Sequence, residues 1–262
     1  MESPLSVFKR GWEMLWERPG AYFLVAILPH VAAIGLPILV GRLVVRLVHT
    51  HPPAGANWDP LTLWTSMGWG MRLFIILAMI AMATVPMYVV ARGVCRLALE
   101  QQRNVDISLG AVLVDMLRFV PTAVFYFLAL GIATFLGYSF LVVPGLLIAS
   151  ACALIIPAGI DGQLGPFAAI RRGISLGGRV FGRVLGVYAS YLAFAIAGRV
   201  VLSIFTAGDE APGFGFFVLL GLWFMTLLLA AAPVNIMVTL LYCQAREIEA
   251  PPLTAEAGAG NA

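Results

Sequence analysis

The chain has 262 residues, 61% of them apolar and only 11% charged, with a mean hydropathy of +0.96. A soluble domain carries about 25% charged residues, so this chain cannot cover a water-facing surface, and lipid must solvate most of it. The net charge of +3 is small, and its distribution along the chain carries more information than its size.

The opening segment is amphipathic. Leu5, Phe8, Trp12, Leu15 and Trp16 fall on one helical face, and Ser6, Lys9, Arg10, Glu13 and Glu17 on the other. Ser3 and Pro4 supply an N-cap and a first-turn proline. The start lacks a basic n-region, and the first apolar run is too long for a signal core, so it is expected to remain as a membrane helix.

A bilayer core of about 30 Å needs about 20 helical residues. The first predicted span covers residues 20–41 and can extend to Leu47. A polar, proline-rich loop follows. His49, His51 and Asp59 there have metal-ligand chemistry, but a plain loop is the simpler reading and no metal or cofactor is assigned. Residues 61–70, with Trp64 and Trp69, look interfacial, and the second span covers 73–94.

A loop at Gln101-Gln102-Arg103-Asn104 leads to a second amphipathic segment. There Leu109, Val112, Leu113, Met116 and Leu117 oppose Asp115 and Arg118. The third span covers 120–140. A tight turn at Val143-Pro144-Gly145 leads to the fourth, which ends at Asp161-Gly162. In a third amphipathic segment Phe167, Ile170 and Ile174 oppose Arg171, Arg172 and Ser175. The fifth span covers 184–205 and the sixth 214–243. The expected fold is all-α integral membrane: a six-helix domain over 1–245, then a disordered cytoplasmic tail over 246–262.

Arg and Lys are unevenly shared between the two sides. Lys9, Arg10, Arg18, Arg92, Arg96, Arg103, Arg118, Arg171, Arg172, Arg179, Arg183 and Arg246 fall on one side. Only Arg42, Arg46, Arg72 and Arg199 fall on the other. The positive-inside rule then puts both termini in the cytoplasm of a multi-pass inner-membrane protein. The first two amphipathic segments also match at an offset of 102: Ser6 with Ser108, Pro19 with Pro121, and Glu13-Met14-Leu15 with Asp115-Met116-Leu117. Three units, each an interfacial helix followed by a hairpin, would explain this.

Chemistry-bearing residues are few. His30, after Pro29, and Asn235, after Pro233, are intramembrane polar candidates. Their prolines free backbone carbonyls, as in the broken helices of transporters. Arg171, Arg172, Arg179 and Arg183 form a cationic cluster suited to anionic lipid. Gly178, Gly182, Gly186 and Ser190 recur every four residues, a helix-packing row expected to touch another span of the chain rather than a second copy. Gly173-Ile174-Ser175-Leu176-Gly177 has the letters of a nucleophile elbow, but it lies in a helix pattern without the preceding strand or a nearby His.

Val143-Pro144-Gly145, Asp161, Gly165-Pro166-Phe167-Ala168-Ala169-Ile170-Arg171-Arg172, Leu176 and Gly178-Arg179-Val180-Phe181 together resemble a known pattern. It belongs to the membrane domain found beside some glycerophosphoryl diester phosphodiesterases and to its stand-alone integral membrane relatives. Gly173 stands where that family has Ser. Phe8-Lys9-Arg10-Gly11-Trp12 fits the family's helix before its first span. The resemblance implies the six-helix fold but no catalysis, since the hydrolase activity belongs to a separate barrel domain. The expected function is therefore non-enzymatic: membrane or envelope homeostasis, by lipid organisation or as a partner subunit. The alternative is a transporter or flippase for a lipid or small apolar solute. Expected partners are membrane lipids, with a membrane protein or a second copy possible. Nucleic acid is a poor partner, because the charges hug the membrane plane.

Overall fold

A computed structural model describes residues 4–49, 68–106, 108–140, 142–206 and 214–249. Every element among them is helical. In chain order they are α1 (Pro4–Glu17), α2 (Pro19–His49), α3 (Trp69–Gln102), α4 (Leu109–Tyr126), a π turn (Phe127–Gly131), α5 (Ile132–Phe140), α6 (Val142–Cys152), α7 (Ile155–Asp161), α8 (Pro166–Thr206) and α9 (Phe214–Glu249). Among the described residues four stretches are long and apolar enough to cross a membrane: Trp69–Gln102, Leu109–Thr134, Val142–Asp161 and Pro166–Gly198. Helices α2 and α9 are 31 and 36 residues long.

Three prolines stand where their missing N–H does least harm, while Pro86, Pro121 and Pro233 lie inside helices. Pro4, Pro19 and Pro166 open α1, α2 and α8. Ser108 caps α4 by accepting from the Ala111 N–H. Helices α3 and α7 end alike. Asn104 (φ 54°) and Gln163 (φ 49°) take the left-handed conformation. The next N–H reaches back in each case, Val105 to Glu100 and Leu164 to Gly159, which is the Schellman closure.

The core sits between α2, α3, α4 and the second half of α9, with α1 and α7 closing one end. Tyr22, Val25, Val90, Val94, Val112, Ile155, Leu176 and Ile236 are among its fully buried side chains. Backbones approach closely at several glycines. A Cβ on Gly137 would lie 2.8 Å from the Gly145 Cα, so α5 and α6 approach to backbone distance there; Val143-Pro144-Gly145, read as a turn from the sequence, belong to the first turns of α6. A Cβ on Gly93 would lie 2.5 Å from Val25 and 2.4 Å from the Met116 sulfur, where α2, α3 and α4 meet.

Several boundaries differ from the sequence reading. Gln101 and Gln102 belong to α3, not to a loop. The second amphipathic segment is not a separate interfacial helix. It runs through Pro121 as the first half of a continuous rod, which carries one π turn where the Ile132 N–H reaches the Phe127 carbonyl. The third likewise continues into the fifth span, with a break at Val180 (φ −121°, ψ 16°). Helix α9 runs on to Glu249, past the expected domain end at 245.

Leu15 is buried, whereas Leu5, Phe8, Trp12 and Trp16 are exposed. Helix α1 turns Val7, Gly11 and Met14 to α9, where a Cβ on Gly11 would meet Met237 at 2.9 Å. Leu117 points outward at 72% exposure, away from Val112 and Met116, with which the periodicity grouped it and which are buried, while Asp115 turns inward. The units matched at an offset of 102 differ accordingly: Met14 and Met116 are both buried, but Leu15 is buried and Leu117 exposed. Pro19 starts a helix, whereas Pro121 lies within one.

Candidate functional site

The segments that the Arg count put on one side do gather at one end of the bundle. Tyr22 on α2 donates to the Gln101 side chain at 2.8 Å. The Gln101 amide donates to the Met14 carbonyl at 3.4 Å and to Glu17. One side chain on α3 thus ties down α1 and α2. Arg10 donates to Gln102 (3.0 Å), Arg18 pairs with Asp106 (3.3 Å), and Arg183 donates to Gln244 (2.9 Å).

Two carboxylates organise this end. Asp161 closes α7, with a side chain only 7% exposed. It accepts from the Tyr242 hydroxyl at 2.7 Å and pairs with Arg246 at 3.0 Å and with Arg103. A carboxylate at a helix C-terminus opposes the helix dipole, and two guanidinium groups from α9 and the end of α3 offset that. The resemblance pointed to Asp161 as a motif residue; periodicity alone did not.

Asp115 is the second hub. Arg92 grips it with two bonds, Nε to Oδ2 at 2.8 Å and Nη2 to Oδ1 at 3.1 Å. Arg96 approaches Oδ1 at 3.3 Å and also donates to Glu100 at 3.0 Å. The Arg92 guanidinium lies 5.1 Å over the Phe119 ring. Two-pronged guanidinium–carboxylate pairing fixes orientation as well as charge, so this quartet locks the register of α4 against α3. The sequence reading had counted Arg92 and Arg96 only as topology signals. An acidic residue one turn from an Arg in an otherwise apolar rod was the available clue.

Beside this quartet a cleft of about 320 Å³ opens between α4, α7 and the start of α8. Arg92, Asp115, Arg118, Thr122 and Tyr126 line one wall, and Ile156, Ile160 and Gln163 the other. A second hollow of about 300 Å³ lies between α1 and α9, bordered by Arg10, Gln102, Gln244 and Glu247. Arg10 donates to Gln102 within it, and Gln244 accepts from Arg183 on α8, outside the lining.

The expected site residues are scattered. His30 is buried, with Nδ1 2.9 Å from the Ala26 carbonyl and Nε2 without a partner. Asn235 donates to the Ala231 carbonyl at 2.8 Å, and its own carbonyl accepts from Thr239. Each serves its own helix rather than a shared cavity. Arg171, Arg172 and Arg179 are exposed on α8, and Arg183 is half-buried.

The row Gly178, Gly182, Gly186 and Ser190 is exposed, and among the described residues a Cβ on any of its glycines would meet nothing within 4 Å. The expected contact with another span of the chain is therefore corrected. The seam lies on the adjacent face, where a Cβ on Gly173 would sit 2.5 Å from the Ile155 Cα, and one on Gly177 would sit 3.2 Å from the Ala151 carbonyl oxygen. The glycines of the elbow-like motif thus serve helix packing, and Ser175 between them is exposed. Among the described residues no three His, Cys, Asp or Glu side chains converge as metal ligands. His51, Asp59 and the His49 side chain lie outside the described residues. Comparison with protein-family models, curated proteins and solved structures gave no match for this chain.

Proposed function

We propose that the chain is a non-enzymatic, six-span protein of the inner membrane with both termini cytoplasmic. It acts in membrane or envelope homeostasis, organising lipid or holding a partner membrane subunit. The observation that carries this reading is the division of polar groups at the Arg-rich end. Asp115 and Asp161 are each held by two guanidinium groups from other helices. Carboxylates clamped in this way tie elements together and are poorly placed to move protons or attack a substrate. Six crossings are supported by the lengths of α2 and α9, which at 31 and 36 residues exceed the roughly 20 a bilayer needs. Membership of the phosphodiesterase-associated membrane-domain family belongs to the same proposal, supported by the tertiary roles of Gly145 and Asp161.

A deletion strain compared with its parent should show altered lipid composition or solute sensitivity. An unchanged envelope under both assays would count against the role. Cysteines placed at Asn57 or Glu210 should react with an impermeant label from outside, and those at Gln102 or Gly165 should not; the reverse pattern would refute the orientation.

Transport of a lipid or small apolar solute is the second reading. It is favoured by His30 Nε2, a buried ring nitrogen without a partner on a proline-containing helix. Vesicles reconstituted with the chain should then move labelled lipid between leaflets, and His30→Ala should abolish that movement.

A further inference from the structure

We propose that the cleft between α4, α7 and the start of α8 seats the phosphodiester of one anionic glycerophospholipid. The inference deepens the lipid-organising role proposed above and rests on the chain being membrane-embedded.

Charge is the first support. In the quartet and its cleft, Arg92, Arg96 and Arg118 face Asp115 and Glu100, which leaves one positive charge. Arg118 lines the cleft and makes no ion pair or hydrogen bond among the described residues. Arg92 spends Nε and Nη2 on Asp115, which leaves the Nη1 donors for a ligand. One phosphodiester carries one negative charge, and guanidinium is the side chain best matched to it.

The second support is a set of uncommitted polar groups in one line. Arg118, Thr122 and Tyr126 recur every four residues on α4, so they share a face over about 12 Å of helix rise. Gln163 faces them from the turn after α7. The side chains of Thr122 and Gln163, like that of Arg118, make no hydrogen bond among the described residues. In the α1–α9 hollow, by contrast, Arg10 bonds Gln102 and the Gln244 side chain is taken by Arg183 from outside.

Surroundings favour a lipid over free phosphate. Phe119 and Ile156 border the polar stripe. At the edge of the cleft Phe125 meets Phe167 at 5.0 Å, and Phe167, next to the lining residue Pro166, is 76% exposed, an apolar rim for acyl chains. A zwitterionic lipid fits less well. Its ammonium would need a carboxylate, and Asp115 already takes three guanidinium contacts. A head group with hydroxyls can bond Thr122 and Gln163.

The test uses the full chain purified in neutral detergent. Native mass spectrometry follows titration with phosphatidylglycerol, phosphatidylcholine or inorganic phosphate. We expect one phosphatidylglycerol retained about tenfold more strongly than phosphatidylcholine, as for one charge-assisted contact. Arg118→Gln should remove the preference, Arg118→Lys should keep part of it, and Lys9→Gln should keep it all. Ile156→Trp, which fills the cleft, should lower retention of the bound lipid. Circular dichroism confirms that each variant compared is folded. Equal retention of both lipids by the parent overturns the site, as does a preference that survives Arg118→Gln or falls equally with Lys9→Gln. Displacement by equimolar inorganic phosphate would assign the cleft to the free anion and overturn the lipid. A chain that does not fractionate with membranes fails the broader reading, and that outcome precedes any lipid titration.

Discussion

Helix α8 carries two rows of small residues side by side, and only one of them is a seam. Ala169, Gly173 and Gly177 lie against α6 and α7, close enough that a Cβ on Gly173 would overlap the backbone of Ile155. Gly178, Gly182 and Gly186 begin one residue later and face open space. One residue is about 100° around a helix, so neighbours in sequence belong to different faces. The break at Val180 also falls between Gly178 and Gly182, so the second row does not continue straight along one helix. Small-residue spacing shows where a backbone can be approached. Which row is approached depends on the neighbour that arrives.

Substitution of the two rows can break this contrast. Gly173→Leu should have the largest effect, because the obstructing atoms are the Ile155 N and Cα at 2.6 and 2.5 Å and cannot step aside as a side chain would. Overpacking of about 3 kcal/mol or more is expected, read as loss of a cooperative melt in detergent. Gly177→Ala should cost about 1 kcal/mol, since the nearest atom is a carbonyl oxygen at 3.2 Å. Chemical unfolding followed by circular dichroism would measure it. Gly186→Leu should change the stability of the single chain by less than about 0.5 kcal/mol. A Gly186→Leu protein that melts far below its parent while Gly173→Leu melts normally would reverse the assignment. If Gly186→Leu leaves the melt intact but dissolves an oligomer on a sizing column, the outer row is a contact between copies.

The same lesson holds for the charged residues. Asp115 and Leu117 lie in a segment whose periodicity groups Leu117 with Val112 and Met116 and sets Asp115 opposite them. The structure turns Asp115 inward because Arg92 and Arg96 on α3 meet it there, and an unpaired carboxylate would be costly in lipid. Leu117 loses little by facing outward, since acyl chains solvate it as well as a protein core would. In a membrane, then, the polar partners of a helix decide its rotation more than its apolar stripe does.

Much was legible without coordinates. Composition alone required lipid as solvent, apolar run lengths placed the long helices to within a few residues of most boundaries, and the Arg count grouped the segments that meet at one end. These properties depend on local sums: hydropathy over a window, helix rise against bilayer thickness, charge per loop. Tertiary structure alone decided that Gly173 rather than Gly186 touches backbone, that Asp161 gathers Arg103, Arg246 and Tyr242, and that His30 and Asn235 each bond their own helix. It also decided that Arg118, Thr122 and Gln163 share a cleft. Apart from the local bonds of His30 and Asn235, each of these is a pairing across tens of residues of chain, set by the rotation of one helix against another. In lipid no hydrophobic stripe fixes that rotation in advance.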